Sequence, residues 1–231
     1  MTVRSQNRIK VVGAGTGAVT RELAPLCREV VAYEVDPRMA DALEPVARES
    51  PNIRVVRGDI LRAAPPAEPF AVVGNIPFTV TAGVVGWCLG AEHLRSAILL
   101  TQWEYVRKRT GDYGRWSLLT VLTWPLYEWR LLGRVSRPAF RPVPAVDGGI
   151  LRLEQRASPL LPQRSLPAYE DLVRLGFSGV GGSPAASLRR RHSSAAVNGA
   201  LRAAGVGPAT VVGLVPPDAW ITIFRGLRDR G

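Results

Sequence analysis

The sequence predicts an α/β protein with a doubly wound parallel sheet, followed by a small helical unit. Three observations carry this. Up to about residue 155, short β-branched runs alternate with helix-length segments. A glycine-rich turn, Gly13-Ala14-Gly15-Thr16-Gly17, directly follows the first of those runs. Beyond Pro159, Pro162 and Pro167 the composition changes, and helix-length segments alternate with Gly and Pro breaks.

The elements follow in order. Residues 9–12 read as a buried strand. Residues 18–27 read as a helix with Val19, Leu23 and Leu26 on one face, cut short by Pro25, whose ring and missing N–H break the ladder. Residues 30–35 read as a second strand, and Pro37 opens a helix at its first position. Residues 53–56 form a third strand ending near Asp59, and residues 70–74 a fourth ending at Asn75-Ile76-Pro77-Phe78. A helix over 81–89, a strand over 97–101, a helix and strand within 116–132, and a last strand within 145–153 complete the first domain, residues 1–157. Helical segments at 169–177, 185–191, 195–204 and 217–228 make up the second, residues 158–231.

The chain has 231 residues, 46% hydrophobic and 21% charged, so it can bury a core and is not disordered by composition. The net charge is +11, and 28 of the 30 basic residues are arginine, the others being Lys10 and Lys108. Such a charge suits a polyanion, because neutralised phosphates release counterions. Arginine-rich codon usage is the competing explanation. Residues 156–231 carry ten basic and four acidic residues, against twenty and fifteen in residues 1–155, so charge density doubles in the tail. Cys27 and Cys88 form no paired motif, and His93 and His192 are the only histidines. A disulfide framework, a cysteine zinc site and a multi-histidine metal site are disfavoured, and a reducing, cytoplasmic location is expected. Residues 70–91 are uncharged but contain Asn75, Pro77, Thr79, Thr81 and four glycines, which suits a strand, a tight loop and a buried helix better than a membrane span. The apolar run after Arg4, Arg8 and Lys10 is short and broken by glycine, which argues against a signal peptide.

The motifs converge on one edge of the sheet. Open α/β sheets bind ligands beyond the carboxyl ends of their strands. There the glycine turn exposes backbone amides at a helix start. Glu34, 21 residues after Gly13, is placed to accept both hydroxyls of a ribose, and Asp59 to contact an adenine amino group. In Asn75-Ile76-Pro77-Phe78, the Asn75 side-chain oxygen and the Ile76 carbonyl can accept two hydrogen bonds from an exocyclic amine, with the Phe78 ring stacked on a planar base. Each feature alone also has a plain structural reading: a solvated strand end for Glu34, a turn for Asp59, a core ring for Phe78.

Together these residues resemble the Rossmann-like class I S-adenosylmethionine (SAM) methyltransferases, and Asn-Ile-Pro-Phe narrows this to adenine N6-methyltransferases. The segments Arg107-Lys108-Arg109-Thr110-Gly111-Asp112-Tyr113-Gly114-Arg115-Trp116, Leu122-Thr123-Trp124-Pro125-Leu126 and Phe140-Arg141-Pro142-Val143-Pro144-Ala145-Val146-Asp147 are similar to the actinobacterial branch of the erythromycin-resistance (Erm) enzymes. The resemblance implies SAM as cofactor, held by Asn7, Gly13, Gly15, Gly17, Glu34, Asp59, Ile60 and Asn75. It implies methylation of one adenine in 23S rRNA at Asn75, Ile76, Pro77 and Phe78, with macrolide resistance as the outcome. It further implies a small helical C-terminal domain, no metal, no membrane partner, and action as a monomer before or during large-subunit assembly. Expected rRNA contacts are Arg107, Lys108, Arg109, Arg134, Arg137, Arg141, Arg189, Arg190 and Arg191, with solvated surface as the rival reading of each. Tyr113 and Trp116 can stack on RNA or pack in a core.

Two departures shape the expectation. Ser5-Gln6-Asn7-Arg8 runs almost directly into Ile9, so the sequence predicts a shortened segment ahead of the first strand. Val11 stands where the family usually has an acidic residue. Both predict a weakened cofactor site. They keep open a non-catalytic RNA-binding relative, beside a small-subunit rRNA dimethyladenosine transferase as the other alternative.

Overall fold

The structure is a computed structural model and describes residues 7–179 and 182–228. The expected shortening ahead of Asn7 lies outside the described residues. In chain order the strands are Arg8–Val12 (β1), Glu29–Glu34 (β2), Ile53–Arg57 (β3), Phe70–Asn75 (β4), Leu94–Gln102 (β5), Tyr127–Val135 (β6) and Gly148–Gln155 (β7). They form one seven-stranded sheet ordered β3-β2-β1-β4-β5-β7-β6. The first five run parallel, and β7 returns antiparallel to β5. β1 is flanked by β2 on one side and β4 on the other, so the winding reverses there and opens a crevice at the strand ends.

The doubly wound expectation holds because the local signals agree with burial. Four of the five residues of β1 are buried, as a strand covered on both faces requires. Helix α1 (Ala18–Leu23) gives way to a single tight turn at Ala24–Leu26, with Pro25 inside it. Helix α2 (Pro37–Glu49) starts with Pro37 at its first position, and the Asp36 side chain accepts from Arg38 N–H at 2.8 Å. Its buried residues are Ala40, Leu43 and Val46, and the last two join the cluster of Ile9, Val11, Val30 and Ala32. Val11 therefore occupies the apolar core. The uncharged stretch 70–91 resolves into β4, a turn and the ten-residue helix α3 (Thr81–Gly90). No helix among the described residues is long and apolar enough to cross a membrane.

The structure adds helix α4 (Trp103–Thr110), which the sequence reading did not anticipate, and carries Arg107, Lys108 and Arg109 on it. Helix α5 (Leu118–Thr123) follows, its Ser117 cap accepting from Thr120 N–H at 3.2 Å. The later helices are α6 (Leu166–Gly176), α7 (Pro184–Leu188), α8 (Ser194–Ala203) and α9 (Pro217–Arg228).

Contacts divide the chain into two compact units. One comprises Met1–Trp103 with Arg130–Gln155, the other Glu104–Trp129 with Arg156–Gly231. The sequence-based division, 1–157 and 158–231, differs chiefly in the segment 104–129, which groups with the helices although its last three residues begin β6. The reason is its apolar content. Trp116, Leu118, Val121, Leu122 and Trp124 join the cluster around Tyr169, Trp220 and Phe224. The Tyr169 hydroxyl donates to the Val121 carbonyl at 2.9 Å. Phe177 stacks on Trp220 with centroids 5.5 Å apart, and Trp220 is fully buried.

Gly176 sits against that indole. A Cβ there would lie 2.2 Å from Cη2 of Trp220. Overpacking of this kind costs about 1–3 kcal/mol, more than the helix-propensity gain of roughly 0.5–1 kcal/mol from replacing glycine. Gly176→Ala is therefore expected to destabilise the chain, by about 2 kcal/mol in urea unfolding. A neutral or stabilising result would contradict this packing.

Candidate active site

The glycine turn is built by three left-handed backbone positions, Gly13 at φ +65°, Gly15 at +55° and Gly17 at +90°. Only glycine adopts these readily. The three serve different ends. A Cβ on Gly13 would lie 2.6 Å from the backbone oxygen of Asn75, so this glycine lets two strand ends approach closely. A Cβ on Gly17 would lie 2.7 Å from Leu43 Cδ1, so this one lets α1 settle beside α2. Around Gly15 a Cβ would meet nothing within 4 Å. The turn is open to a ligand at that point.

Glu34 closes the next side. Its Oε2 accepts from Gly15 N–H at 2.7 Å, and its Oε1 accepts from Val35 and Asp36 N–H, both at 2.9 Å. The Ala14 N–H reaches the Tyr33 carbonyl at 3.2 Å. A carboxylate has about four acceptor positions, so at least one stays available toward a ligand hydroxyl. After β3, Asp59 Oδ1 accepts from Leu61 N–H at 2.9 Å and caps a short turn that buries Ile60. A cavity of about 580 Å³ opens here, lined by Tyr33, Val35, Gly58, Asp59 and Arg62 among others. Val35 is 68% exposed, an apolar side chain offered to a flat partner.

The fourth wall is the β4 end. Asn75 makes the last pairing of β4 with β5, opposite Leu100. The Ile76 carbonyl lies past that ladder, while the Ile76 side chain is buried as the anchor of the loop. The Asn75 side chain is exposed and has no hydrogen-bond partner among the described residues. Phe78 begins a tight turn, is half-buried, and meets Phe140 edge to face at 6.5 Å.

Phe140 is the residue the sequence reading left without a role. It comes from the β6–β7 connection, 62 positions away. Asp147 holds that connection. Its Oδ1 accepts from Arg137 N–H at 2.8 Å, and its Oδ2 takes both Nε and Nη2 of Arg134. Its carbonyl accepts from Trp103 N–H at 2.9 Å, and the Arg134 guanidinium lies over the Trp103 ring. Gly148 then admits the Phe140 ring, since a Cβ would lie 2.7 Å from its Cζ. The Arg137 amide and the Arg134 guanidinium hold the Asp147 carboxyl below the usual carboxylate range.

The structure thus gathers Gly13, Gly15, Glu34, Asp59, Ile60, Asn75, Ile76, Pro77 and Phe78 along one strand-end edge. Asn7 is not among them. It lies at the amino end of β1, its carbonyl accepting from Arg28 N–H at 3.0 Å. Six residues of extended chain put it roughly 20 Å from Gly13. The expectation that it contacts the cofactor is corrected on that ground. No group of three or more His, Cys, Asp or Glu is placed to hold a metal among the described residues. Both cysteines are buried, and burial pushes the Cys88 thiol up to about 12, far from a reactive thiolate.

The expected cationic contacts divide. Arg107 pairs with Asp112 and Glu104 and covers the Tyr113 ring. Arg109 donates to Ser117 Oγ at 2.7 Å, Arg134 is held by Asp147, Arg141 donates to the Pro138 and Phe140 carbonyls, and Arg189 donates to Asn198 Oδ1. These shape loops and helix ends. Lys108, Arg190 and Arg191 are exposed, and no ion pair or hydrogen bond engages their side chains among the described residues. Trp116 is partly buried against the core of the helical unit, edge to face with Trp124 at 5.7 Å.

Similarity to known proteins extends over nearly the whole chain. Residues 2–229 match the ribosomal RNA adenine dimethylase family. An rRNA adenine N-6-methyltransferase from Streptomyces fradiae is 56% identical over 219 residues, covering 94% of this chain and 69% of that protein. The mycinamicin-resistance protein MyrB of Micromonospora griseorubida is 39% identical, covering 95% of this chain and 70% of its own. The crystal structure of the 23S rRNA methyltransferase ErmE superposes with a TM-score of 0.95 at 49% identity, over 98% of this chain and 93% of ErmE.

Two stability measurements check the geometry. Gly13→Ala combines left-handed strain with a backbone clash and is expected to cost roughly 3 kcal/mol, whereas Gly15→Ala, with strain alone, costs about 1–2 kcal/mol. Equal losses in chemical unfolding would contradict the close approach to Asn75. For Asp147, a carboxyl held low when folded takes up its proton first in the unfolded chain. Its stabilisation is full above about pH 5 and disappears as the pH falls through the folded value. Thermal unfolding from pH 7 to 3 is expected to show Asp147→Asn below wild type at neutral pH, with the two curves converging in acid. A constant gap would contradict the clamp.

Proposed function

The chain belongs to the ribosomal RNA adenine dimethylase family, and on that premise we infer that it is a SAM-dependent methyltransferase acting on N6 of one adenine in 23S rRNA, with macrolide resistance as the consequence. The observation that carries this is the Asn75-Ile76-Pro77-Phe78 loop, brought against Gly13 by a contact only glycine permits. That contact puts an amine-binding loop directly beside the turn that receives the cofactor.

The residues present fit SAM. Gly15 faces open space, Glu34 keeps acceptor capacity toward a ribose, and the cavity beside Val35 and Asp59 suits an adenine ring. Gly13, Gly17 and Ile60 shape the walls of this cradle. When bound, SAM supplies a methyl group made electrophilic by its sulfonium.

The chain supplies position. A stacked adenine cannot present N6 to the crevice, so it leaves its stack at a cost of a few kcal/mol. Phe78 offsets part of that by stacking on the base, worth about 1–3 kcal/mol. Phe140, edge-on to Phe78, restricts where the base can lie. Asn75 Oδ1 and the Ile76 carbonyl accept the two N6 hydrogens, which turns the nitrogen lone pair out of the ring plane and toward the methyl. Bound SAM would supply its methyl group to that nitrogen, and one N6 proton would be released. Holding both reactants in line is where the acceleration arises. The chain acts as a monomer on rRNA before or during large-subunit assembly. One copy contributing every wall of the edge supports the monomer reading.

Asn75→Ala removes an acceptor that is exposed and unpaired, so the fold is expected to survive with its unfolding midpoint unchanged. Methyl transfer from SAM to unmodified 23S rRNA is expected to fall by about a hundredfold or more. Near-normal turnover would contradict the assignment.

A further inference from the structure

Successive side chains of a strand point to opposite faces of its sheet. Ile9, Val11, Val30 and Ala32 cluster with Leu43 and Val46 of α2, so Lys10, Val31 and Tyr33 lie on the other face. A parallel sheet is ordinarily covered there by crossover helices. Here residues 58–69, between β3 and β4, hold only the short turn Ile60–Arg62. A cavity of about 380 Å³ lies between that connection and the strands, lined by Lys10, Tyr33, Arg54, Ala63, Pro66 and Phe70 among others. This volume falls within the range of small-molecule sites. Its walls are fastened. Trp87 Nε1 donates to the Ala63 carbonyl at 2.9 Å, and the Trp87 ring meets Phe70 edge to face at 5.8 Å. Tyr33 and Ala63 also line the cavity beside Asp59, so the two cavities share a wall.

The cavity holds a buried cation with no anion. Lys10 is 6% exposed, and a lysine is almost never so buried unless paired. Its Nζ donates to the Tyr33 hydroxyl at 2.8 Å and lies 4.7 Å from the centre of that ring. The ammonium has three donors, and no carboxylate takes the other two among the described residues. The Tyr33 hydroxyl, itself buried, likewise keeps its own proton without an acceptor among the described residues. A second cation stands close by. Lys10 on β1 and Arg54 on β3 are both in register with Val31 of β2, one on each side. Arg54 is exposed, and no ion pair or hydrogen bond engages its side chain among the described residues. Glu29, the lining carboxylate, is 3.2 Å from Arg8, which also meets Glu68 at 2.8 Å. An ammonium taken out of water is costly unless an opposite charge and hydrogen bonds compensate it. The two donor groups, 2.8 Å apart, suit the two oxygens of a carboxylate. Around them Val31, Ala63, Ala64, Pro66 and Phe70 are apolar, which suits a flat hydrocarbon body behind that carboxylate.

We infer that this cavity is a second ligand site, for a small aromatic carboxylate. One carboxylate oxygen accepts from Lys10 Nζ and the other from the Tyr33 hydroxyl, with Arg54 at the rim and the ring against Phe70 and Pro66. The inference is independent of the methyl-transfer reading, since none of Lys10, Arg54, Pro66 and Phe70 belongs to that site.

The test is calorimetric titration of the full chain at pH 7 with 1-naphthoate as the probe. Saturable binding at one site is expected, with a dissociation constant of roughly 0.3 mM. Acetate, which lacks the ring, and 1-naphthalenemethanol, which lacks the charge, are each expected to bind at least about tenfold more weakly. Lys10→Met keeps the length of the side chain and removes the ammonium. Its unfolding midpoint is expected to be no lower than wild type, because an uncompensated buried charge has gone, while naphthoate binding falls about tenfold or more. Tyr33→Phe, which removes one donor and keeps the ring, is expected to weaken binding about fivefold. Arg48→Ala, an exposed arginine of α2 outside the cavity, is expected to stay within about twofold of wild type. Absence of saturable binding to the wild-type chain overturns the proposal, as does wild-type affinity in Lys10→Met or Tyr33→Phe. Equal losses in Lys10→Met and Arg48→Ala overturn it in favour of diffuse attraction. Equal affinity for the alcohol and the acid overturns the recognition of a carboxylate.

Discussion

Backbone meets backbone where Gly13 touches Asn75, and the site depends on that contact. The carbonyl of Asn75 occupies the space a side chain at position 13 would need. Glu34 then fastens the other flank of the turn, taking the amides of Gly15, Val35 and Asp36 with its two oxygens. One carboxylate thereby fixes the end of β2 to the turn after β1, and one missing Cβ fixes that turn to the end of β4. The strand order makes this possible, since β1 has β2 and β4 as its two neighbours. The ends of β1, β2 and β4 are consequently held at a spacing set by the sheet.

The parts legible in the sequence are those whose signals are local. The glycine turn, the strand runs, the Asp36-Pro37 helix start and the Asn75-Ile76-Pro77-Phe78 loop each declare themselves within a few residues. The parts that were not legible depend on distant partners. Phe140 acquires meaning only when Asp147 and Gly148 fold its connection back against Phe78. The segment 104–129 reads as a continuation of the first domain because it precedes the last strands, yet Trp116, Leu118, Leu122 and Trp124 join the cluster that holds Tyr169 and Trp220. Asn7 was misplaced for the converse reason. A short motif suggested a contact, but the direction of β1 carries that residue to the opposite edge. Val11 is a milder case, where an expected acidic position is filled by a core side chain that the cluster with Val30 and Ala32 explains.

Net charge takes on a sharper meaning. The excess of arginine over lysine is not a uniform coat awaiting a polyanion. Arg107, Arg134, Arg141 and Arg189 bind carboxylates, carbonyls or an amide within their own units, a use that suits the planar, multi-donor guanidinium better than an ammonium. What remains for an external anion is a smaller set. In the helical unit, Arg164, Arg190 and Arg191 of that set collect around the end of α7 and the flank of α6.

The most direct test of the whole account is the identity and position of the methylated nucleoside. Unmodified ribosomal RNA from a macrolide-sensitive bacterium would be incubated with the purified chain and SAM, digested, and mapped for modified adenosine. The account predicts N6-methylated adenine at a single position, in the 23S molecule. Methylation confined to the small-subunit RNA, at another atom, or absent with a folded protein would contradict it.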